Sequence, residues 1–154
     1  MEKSEKNFLE KLADAIPGLS GYRGRDERRE TDKRLREYVA SRIDRVRGAA
    51  DDLKLALTDK GDLAALGGLG TLQRRLQQLG DSIRFATYGY TGLFDQIKIR
   101  EAELEAIYAH DLNFVAAVEA IEKSVASADL AGAEAALKQA ETLFAGRKDL
   151  FEKP

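Results

Sequence analysis

Apolar side chains recur every three or four positions along most of the chain, which is the spacing that places them on one face of an α-helix. The most regular series advances by steps of 4, 4, 3, 4, 3 and 4 residues. It consists of Leu35, Val39, Ile43, Val46, Ala50, Leu53 and Leu57. Because these steps are close to a heptad repeat, we expect a long, coiled-coil-like helix over about residues 26–57 that packs nearly parallel or antiparallel to its neighbours.

The start of the chain predicts a short amphipathic helix that ends at residue 16, because Pro17 disfavours helical conformation at the residue before it. Residues 17–25 are rich in glycine and should form a loop. The bundle itself is expected to occupy residues 26–153.

Three more helices are predicted after the long one. Two cover about residues 62–88 and 100–127. The last should start after Asp129, which is a suitable N-cap residue, and end at Gly146.

These elements predict an all-α fold, namely a single-domain antiparallel helical bundle with three long helices and two shorter ones. No stretch shows the strict alternation typical of a β-strand, and 154 residues suit one domain. Residues 61–72 leave two alternatives open because of Gly67, Gly68 and Gly70. Either the regular helix begins near Thr71, or the glycines let another helix approach closely.

The composition excludes several kinds of catalytic and metal site. The chain has no cysteine and one histidine, so thiol chemistry and multi-histidine metal sites within one chain are ruled out. Residues 66–72 read LGGLGTL, which lacks the lysine of a phosphate-binding loop. A di-metal bundle needs Glu-x-x-His, but Ile107 stands three residues before His110. We therefore expect no catalytic residues, no metal, no cofactor and no small-molecule substrate, and we interpret His110 as an exposed or partly buried structural residue.

Charged residues also limit where the protein is expected to act. The chain carries a net charge of −2, and acidic and basic residues interrupt every apolar stretch near its start, so no signal peptide is visible. The longest uncharged runs are about ten residues, which is well below the roughly 20 that a membrane-spanning helix needs. A cytoplasmic location is the resulting prediction.

One acidic residue interrupts the core-facing series of the predicted fourth helix. Counted in sevens, that series reads Leu104, Asp111, Val118 and Val125. A buried carboxylate must be paired, so we expect Asp111 to contact an arginine or a tyrosine across the bundle. The candidates on the long helix are Arg36, Tyr38, Arg42 and Arg45. The structural interpretation is that this contact fixes the register of the helices, and the alternative is a group that handles a proton or a ligand.

A basic patch precedes and begins the long helix, and it consists of Arg23, Arg25, Arg28 and Arg29. Such a patch can bind the phosphates of a nucleic acid or an anionic membrane surface. Acidic residues alternate with these arginines, which is typical of a solvated, salt-bridged helix face. The acidic pI of about 5.6 also disfavours nucleic acid as the partner.

An uncharged aromatic segment, residues 85–94, is the strongest candidate for a binding site. It holds four of the eleven aromatic residues: Phe85, Tyr88, Tyr90 and Phe94. These rings could cap one end of the bundle, or they could bind a partner, since aromatic residues dominate interface hot spots. The sequence therefore favours a non-enzymatic helical-bundle protein that binds another protein or itself, as a scaffold or adaptor. A peripheral membrane-surface or nucleic-acid binder that uses the basic patch is the alternative.

Overall fold

The computed structural model describes residues 2–19, 21, 25–86 and 101–152. Within these residues the chain forms five α-helices and no β-strand. The helices are α1 (Glu2–Ala15), α2 (Arg25–Lys60), α3 (Leu63–Arg84), α4 (Glu101–Ala126) and α5 (Leu130–Glu152). The all-α prediction is confirmed. None of the described helices combines the length and the apolar character needed to cross a bilayer.

The apolar series of α2 faces the core, as its spacing predicts. Leu35, Val39, Ile43 and Val46 are completely buried, and the buried side chains of the other four helices complete one continuous core. Burial of this apolar surface is the main force that holds the helices together.

Two antiparallel hairpins make up the bundle. α2 turns into α3 through Gly61 and Asp62, and α4 turns into α5 through residues 127–129. α2 packs against α4 and α3 packs against α5, while α1 packs on α4. Two interhelical ion pairs show the same arrangement, since Arg42 contacts Glu122 and Arg75 contacts Glu141.

The glycine-rich segment 61–72 is helical from Leu63 onwards. α3 is α-helical from Leu63, and the Asp62 side chain caps it by accepting a hydrogen bond from the Ala65 amide at 3.1 Å. An added Cβ at Gly67, Gly68 or Gly70 would meet no neighbour within 4 Å. No described helix of this chain therefore approaches these three glycines closely, and neither alternative suggested by the sequence holds within the described residues.

The end of α5 differs most from the prediction. The helix was expected to end at Gly146, but it continues to Glu152. Glycine ends a helix when it adopts a positive φ, and Gly146 is not among the glycines that do so. The next residue, Arg147, is completely buried in the core. Its ionic contacts, described below, hold the last turns of α5 against the bundle.

The segment after α1 is attached to α2 by a pair of hydrogen bonds. Thr31 donates from Oγ1 to the Gly21 carbonyl at 2.6 Å, and the Gly21 amide donates to Thr31 Oγ1 at 3.0 Å. Gly21 has a φ of +107°, and an added Cβ would lie 2.7 Å from the Tyr108 hydroxyl oxygen. Only glycine fits this position without strain.

Candidate functional site

Four charged side chains meet inside the bundle: Asp32 and Arg36 on α2, Asp111 on α4 and Arg147 on α5. We call them the buried ion cluster. None is more than 4% exposed, and Asp111 and Arg147 are not exposed at all. Charged residues are almost never buried to this extent unless they are paired, so the contacts within the cluster decide what it can do.

Arg147 lies at the centre of the cluster and connects the two carboxylates. Its Nε donates to Asp111 Oδ1 at 2.9 Å and its Nη2 donates to Asp111 Oδ2 at 3.3 Å. Its Nη1 donates to Asp32 Oδ1. The planar guanidinium is suited to this arrangement because it presents five donors in a fixed fork.

Arg36 completes the cluster and links it to α3. Its Nε donates to Asp32 Oδ2 at 2.9 Å, while its Nη1 donates to the carbonyls of Ile83 and Arg84 at 3.1 and 3.2 Å. These carbonyls belong to the last turn of α3, where helical C=O groups have no partner within the helix. The buried ion cluster therefore connects all four helices of the two hairpins.

The predicted role of Asp111 is confirmed in part. Asp111 is buried and paired with an arginine, as its place in the apolar series indicates. The bonds described above come from Arg147 on α5, which was not among the candidates on α2. Arg36 joins through Asp32, whereas Arg42 pairs with Glu122 at 2.6 Å.

Sequence reasoning missed Arg147 because the helix was expected to end one residue earlier. A signal was nevertheless present. The apolar series of α5 includes Leu137, Ala140 and Phe144, and its next step of three falls on Arg147. Asp32 likewise lies one step before Leu35 in the series of α2. A charged residue that continues an apolar series is the pattern common to Asp32, Asp111 and Arg147.

The geometry favours a structural role for the cluster over proton chemistry. Each carboxylate oxygen of Asp32 and Asp111 accepts a hydrogen bond from a guanidinium. Two positive and two negative charges leave the cluster neutral. Charge-assisted bonds of this kind stabilise the ionised carboxylates and fix their orientation.

His110 lies beside the cluster and is partly buried, as expected. Its Nδ1 is 3.5 Å from Asp111 Oδ1. This nitrogen is buried and makes no hydrogen bond with any described residue. Among the described residues, no three histidine or acidic side chains are arranged to hold a metal ion.

A separate ion pair joins α3 to α5. Arg75 donates from Nε to Glu141 at 3.4 Å and also from Nη2. The hydrogen bonds to Glu141 raise the pKa of Arg75 above its ordinary value, although burial acts in the opposite direction.

Only Phe85 of the predicted aromatic site lies within the described residues, while Tyr88, Tyr90 and Phe94 fall outside them. Phe85 follows the last residue of α3, and its amide donates to the Asp81 carbonyl at 3.0 Å. The side chain is 72% exposed. Phe85 therefore does not cap the bundle by burying its ring.

The basic patch can be placed only along the backbone. Arg25, Arg28 and Arg29 stand in the first two turns of α2, their side chains are outside the described part, and so is all of Arg23. Further along α2, Arg34 pairs with Glu30 at 2.8 Å, which is the i, i+4 arrangement expected of a salt-bridged helix face.

A polar groove runs along the outer side of the α2–α3 hairpin and encloses about 700 Å³. Asp44, Arg47, Asp51 and Lys54 line it from α2, and Gly48 and Gly70 contribute backbone to its wall. Asp51 accepts a hydrogen bond from Gln73 across the groove at 2.9 Å.

The chain can be compared with models of protein families, with curated proteins and with solved structures. None of the three comparisons gave a match.

Proposed function

We propose that this protein is a non-enzymatic helical bundle that acts by binding another protein through the aromatic segment, residues 85–94. The observation that carries the proposal is the exposure of Phe85, whose ring is 72% accessible to solvent at the end of α3. Three more aromatic residues and no charged residue follow within the next nine positions. Aromatic side chains with this exposure are typical anchors of protein interfaces.

The interior supports a binding role over an enzymatic one. The carboxylates with the strongest claim to catalysis are those of Asp32 and Asp111, and arginines engage all four of their oxygens. A general acid or base must instead reach a substrate proton at hydrogen-bonding distance. The cluster gives the bundle a defined interior, and a rigid bundle is a suitable support for a binding segment at its surface.

A crosslinking experiment tests the proposal. A photoreactive phenylalanine analogue is placed at position 85 in one chain and, as a control, at the exposed Leu63 in another. We expect position 85 to crosslink a protein that position 63 does not. The captured protein is then purified, and its affinity is measured for the wild-type chain and for Phe85→Ala. The variant should bind at least about tenfold more weakly, because interface aromatics are frequent hot spots.

The outcome against the proposal is equally specific. If position 85 captures nothing beyond what position 63 captures, or if a chain with Phe85, Tyr88, Tyr90 and Phe94 all replaced by alanine keeps full affinity, the aromatic segment is not the binding site. We propose a cytoplasmic setting for the interaction, which fractionation of cells expressing a tagged chain checks.

The basic patch provides the alternative function, namely binding to a nucleic acid or to an anionic membrane surface. Co-sedimentation with DNA and with phosphatidylserine vesicles at low and high salt separates it from the first proposal. Retention that falls with salt, and that is lost when Arg23, Arg25, Arg28 and Arg29 are all replaced by glutamine, favours the alternative.

A further inference from the structure

The wall that α2 contributes to the polar groove has an order of charges that is complementary to itself, while Arg74 lines the groove from α3. The charged residues that α2 contributes are Asp44, Arg47, Asp51 and Lys54 in sequence, so their signs alternate from negative to positive. When this series is read in the opposite direction along the helix, a positive residue takes the place of each negative residue and a negative residue takes the place of each positive one. A second copy of α2, laid antiparallel to the first, therefore presents the opposite charge at every position.

The positions of these residues fix where the two copies would cross. Asp44 and Lys54 lie five positions on either side of residue 49, and Arg47 and Asp51 lie two positions on either side of it. A twofold axis beside residue 49 would place Asp44 opposite Lys54 of the second copy and Arg47 opposite Asp51 of the second copy. Each contact then occurs twice, as in every isologous interface.

The helix surface beside this crossing point leaves room for another backbone. Gly48 is exposed, and an added Cβ there would meet nothing within 4 Å. Gly70 faces the same groove from α3 and is equally free of neighbours. Glycine costs stability within a helix but lets two helices approach closely, so a second helix packed here would explain its use.

Apolar surface is also exposed along the same helix faces. Leu55 lies seven residues after Gly48 on α2, and Leu63 lies seven residues before Gly70 on α3, so each shares a helix face with a glycine of the groove. They are 67% and 80% exposed. Both lie towards the α2–α3 turn, whereas Phe85 lies at the opposite end of α3.

Contacts within the chain leave these charges able to bind a second partner. Asp44 pairs with Arg84 at 3.0 Å and approaches Arg47 at 3.7 Å, yet its side chain remains 51% exposed. A carboxylate offers about four acceptor sites, so an existing contact does not saturate it.

We propose that the groove is a self-association surface, in which two copies of this chain pack through antiparallel α2 helices about a twofold axis beside residue 49. This inference goes beyond the proposed function, since it concerns another surface and another partner. A second copy is favoured over a different protein, because only a second copy necessarily carries the same charges in the reverse order.

Sedimentation equilibrium of the purified full chain at low salt, over a range reaching about 500 μM, tests the proposal. We expect the mass to rise with concentration from 17.0 kDa towards twice that value. Arg47→Glu places two negative charges together at two symmetric positions, and Asp51→Arg places two positive charges together. Each variant alone should raise the dissociation constant at least about tenfold.

An equimolar mixture of the two variants is the decisive sample. In a mixed dimer, the glutamate introduced at position 47 of one copy faces the arginine introduced at position 51 of the other. At the symmetric position, the original Asp51 of the first copy faces the original Arg47 of the second. Association should therefore return in the mixture. Lys138→Glu is the matched control, because it reverses a charge on an exposed residue of α5 and should leave the mass unchanged.

A steric variant gives an independent measurement. Gly48→Gln adds a side chain at the crossing point, and its Cβ would meet no described neighbour within 4 Å. We expect unchanged or higher thermal stability at low concentration together with a dissociation constant at least about tenfold higher.

Two results would overturn the proposal. One is a wild-type chain that keeps a mass of 17.0 kDa up to the highest concentration. The other is a pair of charge variants that associate as the wild type does, or that stay monomeric when mixed. Neither result bears on the aromatic segment, whose test measures capture of a different protein.

Discussion

Asp111 and Arg147 form a two-pronged ion pair between α4 and α5, with 2.9 Å from Arg147 Nε to Asp111 Oδ1 and at most 1% of either side chain exposed. Removing two charges from water is costly, and the attraction between them compensates only when the geometry is good and the other donors are satisfied. Arg147 meets that condition because it also binds Asp32. The pair is thus part of a network in which each member depends on the others.

Removing one charge from this network should be strongly destabilising. Asp111→Leu leaves the buried ion cluster with one uncompensated positive charge, so we expect the free energy of unfolding to fall by about 3–5 kcal/mol. Urea denaturation monitored by circular dichroism measures it. Asp149→Leu on the exposed side of α5 is the control and should change stability by less than about 0.5 kcal/mol. A neutral Asp111→Leu would show that the pair is not needed for stability.

The double variant Asp111→Leu with Arg147→Met separates the effect of losing the ion pair from the effect of leaving a net charge in the buried ion cluster. It removes one charge of each sign and leaves Asp32 bound to Arg36. We expect it to be less destabilised than the sum of the two single variants, because neither charge of the pair then remains buried alone. Simple additivity would contradict a direct coupling between Asp111 and Arg147.

The shape of the arginine should matter as well as its charge. Arg147→Lys keeps the positive charge but replaces the fork, which reaches Asp32 and Asp111 from three nitrogens, with one ammonium group. We expect a loss of about 1–3 kcal/mol, since buried hydrogen bonds to charged groups are broken. Urea denaturation measures this, with Lys138→Arg as an exposed control. Equal stability of the lysine variant would mean that charge alone is sufficient.

The sequence predicted the fold well because apolar spacing carries most of the information about a helical bundle. The series from Leu35 to Val46 is buried as expected, and Pro17 follows α1 closely. The prediction failed where a local sequence signal for a helix end competes with tertiary packing. Gly146 resembles a helix end, but the next residue enters the core and extends α5 to Glu152.

Replacement by alanine should change the stability of the fold in opposite directions at Gly67 and at Gly21. Gly67 is exposed within α3 and has open space around it, so Gly67→Ala should stabilise the chain by about 0.5–1 kcal/mol. Gly21 has a positive φ and lies against Tyr108, so Gly21→Ala should destabilise it by about 1–3 kcal/mol. Thermal melts at low protein concentration compare the two. The same sign for both substitutions would contradict this assignment.

The hydrogen bonds between Thr31 and Gly21 should hold the segment after α1 on the bundle. Thr31→Val removes the hydroxyl from a completely buried site and leaves the amide and carbonyl of Gly21 without this partner. We expect a loss of about 1–3 kcal/mol and faster exchange of the Gly21 amide, measured by hydrogen–deuterium exchange. Thr142→Val is the control, because its hydroxyl donates on an exposed surface. Unchanged exchange at Gly21 would assign the ordering of this segment to its apolar contacts.

The candidate sites show the limit of sequence reasoning in physical terms. Asp111 could be identified because one acidic residue among apolar ones implies a partner, but the identity of the partner depends on how α4 and α5 pack. The exposure of Phe85 was not inferred, although a signal was present. Phe85 lies two positions after Ile83 and four after the exposed Asp81, so it falls outside the apolar series of α3.

Asp32 and Arg147 are 115 positions apart, and this separation affects the order in which the protein folds during its synthesis. A nascent chain on the ribosome completes α2 and α3 long before residue 147 has been added. Until then Asp32 has Arg36 but lacks its second counterion, and Asp111 lacks the arginine that neutralises it. Both acids resist dehydration in that state, so final closure of the interior must wait for the last turns of α5. We expect a chain that stops before residue 147 to remain open and to be cleaved by proteases more readily than a chain that includes α5.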